Sequence, residues 1–388
     1  MKKKNKVSYV TLVGDNLNAG HKKILDTAKK YGKITVGLMT DEACVEYTSL
    51  PHSDYESRKT FLLKNCKQIS KIIPQNTLDY SYNLDSLRPN FVIHGDDWKN
   101  GYQKKIRNKV IKQIKKWKGK LIEVPYTKDI PLSENRKQFL QNYTTADVRK
   151  SKLKRLLNCK KIIKILEAHN PIGGLIIDNL KSDTKTKYDE FDGVWCSSLT
   201  DSSSRGKPDN QSLDLTTRAN WLSEMFEVTS KPLIFDADNG GSIEHIKFLI
   251  RKLEKLGVSA VIIEDKIGIK RNSLFQDQSK TKLDSMQNFG KKIKAAIKSR
   301  VSSDFLIIAR IESIIVGEGI DKAIKRANYY SKAGADMILV HSKKNTPKEI
   351  FKFAKKFKKS KFFKPLVAVP SAYPSVKETE LEKSGFKI

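Results

Sequence analysis

Glu-Asp-Lys-Ile-Gly-Ile-Lys-Arg-Asn-Ser-Leu-Phe, residues 264–275, directly follows the apolar run at 258–263. Such a run, bounded by glycine and by charge, is typical of a buried strand. Its carboxyl end would carry carboxylates, ammonium groups, an amide and a hydroxyl. Carboxylates suit a hard metal cation, and Lys, Asn and Ser suit phosphate or carboxylate oxygens. The stretch therefore predicts a site for a metal and an anionic substrate; the plainer alternative is a charged loop between a strand and a helix.

The same pattern recurs through the second half of the chain, where short apolar runs end in polar residues. The runs begin about 30 to 45 residues apart, the length of one βα unit, and amphipathic helix patterns such as 243–256 and 320–333 lie between them. The seven runs span 162–166, 193–195, 233–235, 258–263, 305–309, 337–340 and 366–369. They predict a (β/α)₈ barrel over residues 151–388, in which active-site residues cluster at the carboxyl ends of the strands.

The polar residues at these strand ends form the candidate site. Asp236, Asp238 and Glu264 would meet at two adjacent strand ends. Three carboxylates beside water form an oxygen-ligand site for Mg²⁺, with Mn²⁺ as the second choice. A hydrogen-bonded acidic rim is the alternative. Arg310 and His341 end the next two strands and would supply hydrogen-bond donors to an anion.

Taken together, the strand-end motifs resemble those of one enzyme family. The motifs are Trp195-x-Ser197-x-Leu199, Asp236-Ala-Asp238, Glu264-Asp265-Lys266, Lys270-x-Asn272-Ser273-Leu274, Arg310-x-Glu312 and His341-Ser342. Over residues 152–388 they resemble phosphoenolpyruvate mutase of the isocitrate lyase superfamily, and the whole chain resembles mutases with an N-terminal cytidylyltransferase-like domain. The resemblance implies a homo-oligomeric isomerase that converts phosphoenolpyruvate to phosphonopyruvate by Mg²⁺-dependent intramolecular phosphoryl transfer, in phosphonate biosynthesis.

The resemblance also implies a role for each candidate residue around the metal and the substrate carboxylate. Asp236 would bind Mg²⁺ directly, and Asp238 and Glu264 would act through water. The substrate carboxylate and enolate oxygen would be held by Ser197 and by the backbone amides of Ser198 and Leu199, in the motif that begins at Trp195.

A second group of residues would hold the phosphoryl group. By the same resemblance, Lys270, Asn272 and Ser273 lie on a gating loop that closes over it, and Asn272 guides the transfer. Arg310 and His341 would bind the phosphoryl group directly. Asp209 lies at the position of an aspartate once proposed as the nucleophile.

Two relatives on the same barrel are alternatives to a mutase. The lyases carry a Lys-Lys-Cys-Gly-His loop with a catalytic cysteine, and residues 270–273 contain no cysteine, which argues against a C–C lyase. Phosphonopyruvate hydrolase is the closer alternative, since it admits water to the same site. It differs at the loop asparagine, which is present here as Asn272.

The first third of the chain predicts a Rossmann-like domain over residues 1–133. Strand patterns alternate with helix patterns, which is typical of a parallel α/β sheet. The predicted strands are 7–13, 33–39, 90–94 and 121–125, and the predicted helices are 20–31, 55–69 and 101–117. The polar segment 134–150 predicts a linker to the barrel.

One motif in this domain suggests a nucleotide site. Leu-Val-Gly-Asp-Asn-Leu-Asn-Ala-Gly-His, residues 12–21, resembles the first motif of the cytidylyltransferase-like nucleotidyltransferases, so Asp15, Asn18, Gly20 and His21 are candidate nucleotide-binding residues. Asn18 replaces the first histidine of that motif, and Ile130-Pro131-Leu132-Ser133 keeps one of the three hydroxyls of the later signature. The domain is therefore predicted to be catalytically degraded, with a regulatory or structural role. A working cytidylyltransferase and a regulatory nucleotide-binding module are the alternatives.

Composition narrows the remaining classes. The 388 residues suggest two or three domains, and the net charge of +32 is spread along the chain. Its densest lysine blocks, 104–120 and 352–364, fit the solvated faces of amphipathic helices, so nucleic-acid binding is not predicted. Membrane-length apolar runs, a signal peptide and paired cysteines are all missing from the sequence, which predicts a cytoplasmic protein.

The pattern at the end of the chain bears on whether the barrel closes. A barrel needs eight strands, and the pattern predicts seven, with a helix at 379–383 and then a loop at 385–388 that leads toward strand eight. The expectation is a C-terminally incomplete barrel, from a fragment or a shortened variant. Its edges near Ile163 and Ala368 would flank an open gap, and the chain would be poorly soluble or weakly active.

Overall fold

The computed structural model describes residues 6–125, 143–183 and 188–388. The chain forms two compact units: the amino-terminal unit, Met1–Leu140 with Lys181–Glu190, and the barrel unit, Gln141–Leu180 with Phe191–Ile388. The signature at 130–133 and the first part of the predicted linker lie outside the described residues. In the described part of that linker, residues 146–150 belong to the helix Ala146–Cys159, because the Thr145 hydroxyl caps a helix there.

The amino-terminal unit contains a five-stranded parallel sheet in the order β3-β2-β1-β4-β5. The strands are β1 Val7–Leu12, β2 Lys33–Met39, β3 Ile69–Gln75, β4 Phe91–Gly95 and β5 Lys120–Val124. The predicted parallel α/β sheet is thus confirmed, but β3 was not predicted. The helix predicted over 55–69 ends at Asn65, and β3 lies at the sheet edge, where its Pro74 is tolerated because an edge strand need not donate every amide.

Both faces of this sheet are covered, because alternate strand residues enter different apolar clusters. Val10 and Ile93 pack with Leu25, whereas Tyr9 and Val92 pack in a second cluster. The helices are Ala19–Tyr31, Asp41–Val45, Tyr55–Asn65, Ser81–Leu87 and Lys104–Ile114. The last of these buries Val110 and Ile114 while most of its lysines face solvent, which confirms the predicted amphipathic helix.

The barrel unit contains a curled seven-stranded parallel sheet in the order β6-β9-β10-β11-β14-β15-β16. Its strands are β6 Ile165–Glu167, β9 Gly193–Cys196, β10 Leu233–Asp236, β11 Ala260–Glu264, β14 Leu306–Ile311, β15 Met337–Val340 and β16 Leu366–Val367. Every one of the seven predicted runs overlaps one of these strands. The barrel unit also has a short antiparallel pair, β12 Lys266–Ile267 with β13 Lys282–Leu283. A second antiparallel pair, β7 Lys181–Asp183 with β8 Tyr188–Glu190, belongs to the amino-terminal unit.

Helices follow the barrel strands. They are Pro171–Asn179, Ser198–Ser204, Leu215–Asn220, Leu222–Val228, Ile246–Leu256, Met286–Ser299, Ile320–Ala333, Lys348–Phe357 and Glu378–Ser384. The lysine-rich helix Lys348–Phe357 buries Phe353, Ala354 and Phe357, as its pattern predicted. Within the described parts of the chain, no helix combines the length and apolar character needed to cross a membrane.

The predicted open gap between the first and last barrel strands is wrong. The closing segment, Phe386–Ile388, bonds to β16 and to Ile163, which lies just before β6. Lys387 N donates to the Leu366 carbonyl at 2.8 Å, and Ile163 N donates to the Lys387 carbonyl at 2.8 Å. Ala368 N also donates to the Ile388 carbonyl at 2.9 Å. Consequently Ile163 and Ala368, expected to be exposed edges, are 2% and 9% exposed.

Candidate active site

Two adjacent strand ends bring three carboxylates together. β10 ends at Asp236 and β11 at Glu264, and the two strands pair in parallel. The chain turns after Asp236, with Asp238 at φ 52°, a left-handed conformation that aspartate adopts more readily than most residues. Asp238 N donates to Asp236 Oδ1 at 3.0 Å, and Glu264 N donates to the Asp238 carbonyl at 2.8 Å. The backbone thus brings these three residues close together, and all three are buried.

Glu264 is the least satisfied of these carboxylates. Both of its oxygens are buried without a hydrogen-bond partner, and its nearest cationic atoms are Lys266 Nζ at 3.5 Å and Arg310 Nε at 3.6 Å. Burial raises the pKa of Glu264 to about 7, although the charges of Lys266 and Arg310 lower it. A buried carboxylate without hydrogen bonds is costly unless a cation or water compensates it.

The Lys270 ammonium lies among these carboxylates. Lys270 Nζ forms a short ion pair with Asp238 Oδ1, lies 2.6 Å from Asp209 Oδ1 and donates to the Ser198 hydroxyl. Burial by itself would raise the pKa of Asp236, but the charge of Lys270 outweighs it together with the neighbouring arginines, so the pKa is lowered. The described residues contain no group of three His, Cys, Asp or Glu side chains arranged to bind a metal ion together.

The loop predicted to cover the site contacts Asp209 through two of its residues. Besides the Lys270 ion pair, Asn272 Nδ2 donates to Asp209 Oδ2 at 3.4 Å. The other end of the Asn272 amide is used locally, since its Oδ1 accepts from Leu274 N at 2.8 Å. The loop therefore lies against Asp209, and the Asn272 side chain is held at both ends.

Arg310 and His341 form the cationic side of the site. Arg310 lies on β14 and pairs with Glu312, and Arg310 Nη2 donates to His341 Nδ1 at 3.0 Å. Because a guanidinium can only donate, Nδ1 must accept, and the imidazole proton is assigned to Nε2. Burial lowers the pKa of His341, and the Arg310 charge lowers it further, so the ring is neutral. His341 Nε2 is buried without a partner and is the donor left for a ligand.

The Ser273 hydroxyl makes more hydrogen bonds within the protein than its predicted role on a gating loop suggested. Its hydroxyl accepts from Lys266 Nζ at 2.5 Å and from Arg310 Nη2 at 2.8 Å, and it donates to Glu312 Oε2 at 2.7 Å. All of its hydrogen-bonding capacity is thus used within the protein. Ser273 therefore orients Arg310 and Glu312.

The predicted substrate-carboxylate motif lies at the end of β9. Ser197 begins the helix Ser198–Ser204, and its hydroxyl makes no capping hydrogen bond. Amides in the first turn of a helix have no partner within the helix, so those of Ser198 and Leu199 can donate to a ligand. Trp195 is half-buried within β9, and Leu199 is 38% exposed.

An open cavity adjoins the carboxylates. It has a volume of about 590 Å³ and is lined by Asp238 and by residues of the segments 211–216, 239–242 and 245–252. This volume falls within the range of ligand pockets, which is roughly 300 to 1,000 Å³. Asp238 therefore borders both the carboxylate cluster and a space large enough for a small organic molecule.

Three charged residues of the site were not among the predicted site residues. Lys266 and Glu312 belong to the quoted motifs but were given no role, and both are buried in the network around Ser273. Arg218 had no sequence signal at all, since it lies within a short helix away from any strand end. It is fully buried and donates to the Asp236 carbonyl at 2.7 Å.

The candidate nucleotide-binding residues of the amino-terminal unit have structural partners. Asn18 caps the helix Ala19–Tyr31: its Oδ1 accepts from His21 N at 2.9 Å, and its own amide donates to His21 Nδ1 at 3.3 Å. Asp15 accepts from the amides of His52 at 2.8 Å and Ser53 at 3.2 Å. Gly20 lies in the first helical turn. Burial lowers the pKa of His21, so this imidazole is not the cation that a phosphate would favour.

Comparison with known proteins gives results for the barrel unit. Residues 153–388 match the family profile described as Phosphoenolpyruvate phosphomutase. The chain is 34% identical over 247 residues to a phosphoenolpyruvate phosphomutase of Tetrahymena pyriformis, covering 63% of this chain and 78% of the relative. It is also 34% identical over 230 residues to a phosphonopyruvate hydrolase of a Variovorax species, covering 59% of this chain and 75% of the relative. A solved structure of phosphonopyruvate hydrolase with oxalate and Mg²⁺ matches with a TM-score of 0.54 and 31% identity, covering 62% of this chain and 78% of that chain.

Proposed function

Because the chain belongs to the phosphoenolpyruvate phosphomutase family, we propose that its barrel unit interconverts phosphoenolpyruvate and phosphonopyruvate. In this isomerisation the bond from phosphorus to the enol oxygen breaks and a bond from phosphorus to the methylene carbon forms. One observation carries the proposal: Glu264, a carboxylate without hydrogen bonds, and His341 Nε2, a donor without an acceptor, are buried in one network around Arg310. The first suits a cation and the second suits an anion.

The carboxylates would hold the metal cofactor, Mg²⁺ or Mn²⁺. Asp236, Asp238 and Glu264 fit it because all their donors are oxygens and the Glu264 oxygens have no hydrogen bonds to lose. A phosphonopyruvate hydrolase of the same family binds Mg²⁺ with oxalate. When bound, the cation supplies positive charge that stabilises the pyruvate enolate. The Lys270 ammonium would then leave these carboxylates and bind the phosphoryl group instead.

The remaining residues would hold the two ends of the substrate. Arg310, His341 Nε2–H and Lys270 provide donors for the phosphoryl oxygens, and the amides of Ser198 and Leu199, with the Ser197 hydroxyl, provide donors for the carboxylate. A loose phosphoryl transfer needs positioning and charge stabilisation more than covalent chemistry, so we assign no nucleophilic role to Asp209. Asp209 would anchor the loop through Lys270 and Asn272. The anchored loop would then exclude water from the site.

Phosphonopyruvate hydrolysis on the same barrel is the second candidate, because a hydrolase is as similar to this chain as a mutase is. We favour the mutase because Asn272 stands on the loop, with its amide directed to Asp209 and held by Leu274 N. A lyase is disfavoured since residues 270–273 contain no cysteine.

A ³¹P NMR time course with phosphonopyruvate and Mg²⁺ tests the proposal. A mutase produces phosphoenolpyruvate, whereas a hydrolase produces inorganic phosphate. Asp236→Ala is the control and should produce neither. Phosphate as the first product from the wild-type chain would replace the mutase assignment with hydrolase.

For the amino-terminal unit we propose a structural or regulatory role without nucleotidyl transfer, since Asn18 and His21 are engaged in helix capping. We also propose that the protein is a cytoplasmic homo-oligomer. Its partners would be small-molecule substrates and not nucleic acid. Sedimentation of the full chain would test the oligomeric part of this proposal.

A further inference from the structure

Arg218 joins the strand ends that carry the candidate metal ligands. It extends from the helix Leu215–Asn220 and is fully buried. Arg218 Nη1 donates to the Asp236 carbonyl at 2.7 Å and lies 3.5 Å from Asp238 Oδ2. Nη2 donates to the Cys196 carbonyl at 3.5 Å. One guanidinium thus connects the end of β9, the end of β10 and the turn that follows β10.

The other edge of the same guanidinium is held just as firmly. Arg218 Nε donates to Asp201 Oδ2 at 3.1 Å, and Asp201 is itself fully buried in the helix Ser198–Ser204. Arg205 lies 3.1 Å from the second oxygen of Asp201, and the Arg218 guanidinium lies 4.7 Å from the centre of the Phe235 ring. A planar fork with five donors can make these contacts together, whereas a lysine ammonium cannot.

We propose that Arg218 is a positioning residue for the cation site, acting through Asp236 and Asp238. By fixing the backbone at Asp236 and contacting the carboxylate of Asp238, it restricts the positions of both candidate ligands. The inference rests on the proposed function, because it presumes that these carboxylates bind a metal. No contact between Arg218 and the substrate is part of it.

The direction of the effect separates positioning from simple charge. If Arg218 acted only as a nearby positive charge, its removal would make the site more negative and would tighten cation binding. If it acts by positioning, its removal lets the turn at Asp236–Asp238 relax and weakens cation binding. Residues that orient metal ligands typically contribute about 10- to 100-fold in affinity.

Titration of the full-length chain with Mn²⁺ alone, read by electron paramagnetic resonance of the free ion, tests the proposal. Arg218→Met should bind Mn²⁺ at least about 10-fold more weakly than wild type. Arg218→Lys keeps the charge but loses the fork, and it should also bind more weakly. Circular dichroism and thermal melting establish that each variant is folded at the titration temperature.

Arg149→Met is the matched control. Arg149 is also buried in the barrel unit and also stacks on a phenylalanine, at 4.0 Å from the Phe226 ring centre. Its guanidinium contacts carbonyl oxygens of Thr144 and Phe226, which are not part of the site. Its replacement should change the melting temperature while leaving Mn²⁺ affinity within about twofold of wild type, under roughly 0.5 kcal/mol.

A double variant keeps the test decisive if Arg218→Met does not fold. Asp201→Asn with Arg218→Met removes the buried carboxylate that would otherwise lose one of its two arginine partners. This variant should recover thermal stability but not Mn²⁺ affinity. Wild-type affinity, or tighter binding, in a folded Arg218 variant would overturn the positioning role. Absence of Mn²⁺ binding to the wild-type chain would instead overturn the proposed metal site.

Discussion

Polar residues follow strand ends in both units, and they reach opposite hydrogen-bonding states. In the amino-terminal unit, Asn18 and His21 satisfy each other across the first turn of a helix, and both oxygens of Asp15 accept backbone amides. In the barrel unit, the Glu264 oxygens and His341 Nε2 are buried without hydrogen-bond partners. The same residue types thus serve structure in one unit and are left available in the other.

This difference indicates where a ligand acts. A buried polar atom without a hydrogen-bond partner costs roughly 1 to 3 kcal/mol, so each such atom needs an explanation, and a bound ligand is one of them. The capping pair of the amino-terminal unit instead contributes to stability. Resemblance of a motif to a known site is therefore weaker guidance than the hydrogen-bonding state of its side chains.

The largest effect should come from Asp236→Ala, which removes one of the three candidate metal ligands of the barrel unit. Loss of the metal-supplied charge should lower mutase turnover by about 10³-fold, since several kcal/mol of transition-state stabilisation disappear. Glu264→Ala and Asp238→Ala, at positions predicted to act through water, should weaken metal affinity about 10- to 100-fold. Turnover measured against Mg²⁺ concentration checks this order. Full wild-type turnover in excess EDTA would show that the barrel-unit carboxylates do not serve a metal, and the contrast with the amino-terminal unit would fail.

A smaller loss is expected for Asn272→Ala, which leaves the fold intact but frees the loop from Asp209. Turnover should fall about 10²-fold, because a misplaced phosphoryl group loses its orientation. Asn288→Ala, at an exposed position on the helix Met286–Ser299, is the matched control and should match wild type. If Asn272→Ala stayed within about twofold, roughly 0.5 kcal/mol of barrier, the loop would serve only as a lid.

Asn18→Ala tests the other side of the comparison. Loss of the helix cap should lower the free energy of unfolding of the amino-terminal unit by about 1 kcal/mol, measured by chemical denaturation. Pyrophosphate release from CTP with phosphocholine, phosphoethanolamine or 2-aminoethylphosphonate should remain at background in the wild type. The comparison breaks if a clear release is seen and His21→Ala abolishes it, since His21 would then be catalytic.

The smallest effect concerns acid stability in the amino-terminal unit. Glu123 accepts from Arg107 and Trp98, and the Arg107 hydrogen bond is the main reason that the pKa of Glu123 is lowered to about 2 from 4.5. Since the folded-state pKa lies below the unfolded one, the carboxylate stabilises the fold above about pH 4.5, and this contribution is lost as the pH falls toward 2. The stability difference between wild type and Glu123→Gln should shrink over that range.

Denaturation of both proteins at several pH values measures the difference. Glu56→Gln is the control, because its carboxylate is 73% exposed and pairs with Lys59 on the same helix. If the difference in free energy of unfolding between wild type and Glu123→Gln stayed constant down to pH 2, the Arg107 contact would not be what lowers the pKa of Glu123.

The strand ends that carry the candidate site residues could be predicted, because the apolar runs before them stand out in the sequence. Apolar runs located β10 and β11 to within two residues, so Asp236, Asp238 and Glu264 followed directly. What could not be predicted is which polar groups are satisfied. Ser273 and His341 looked equally available in the sequence, yet Ser273 is saturated and His341 Nε2 is not. That distinction depends on side chains brought together from four different strands and loops.

Features without local pattern were missed for physical reasons. Arg218 acts through tertiary contacts, and nothing in a short polar helix marks one arginine for burial. β3 carries charge and proline along an edge strand, so its apolar alternation is weak. The closing segment pairs through so few residues that no strand period can be read from it, and its pairing depends on a partner at the other end of the barrel.

The closing segment also has a consequence for the order of folding. Its contacts are among the least local in the unit: Lys387 Nζ donates to the Lys160 carbonyl across a separation of 227 residues. Closing so long a loop costs entropy before any contact repays it, which favours late formation. Contacts absent from the folding transition state act mainly on the unfolding rate. Changes at Phe386 should therefore speed unfolding far more than they slow folding, and the junction at Ile163 should exchange its amide hydrogen earlier than the central strands.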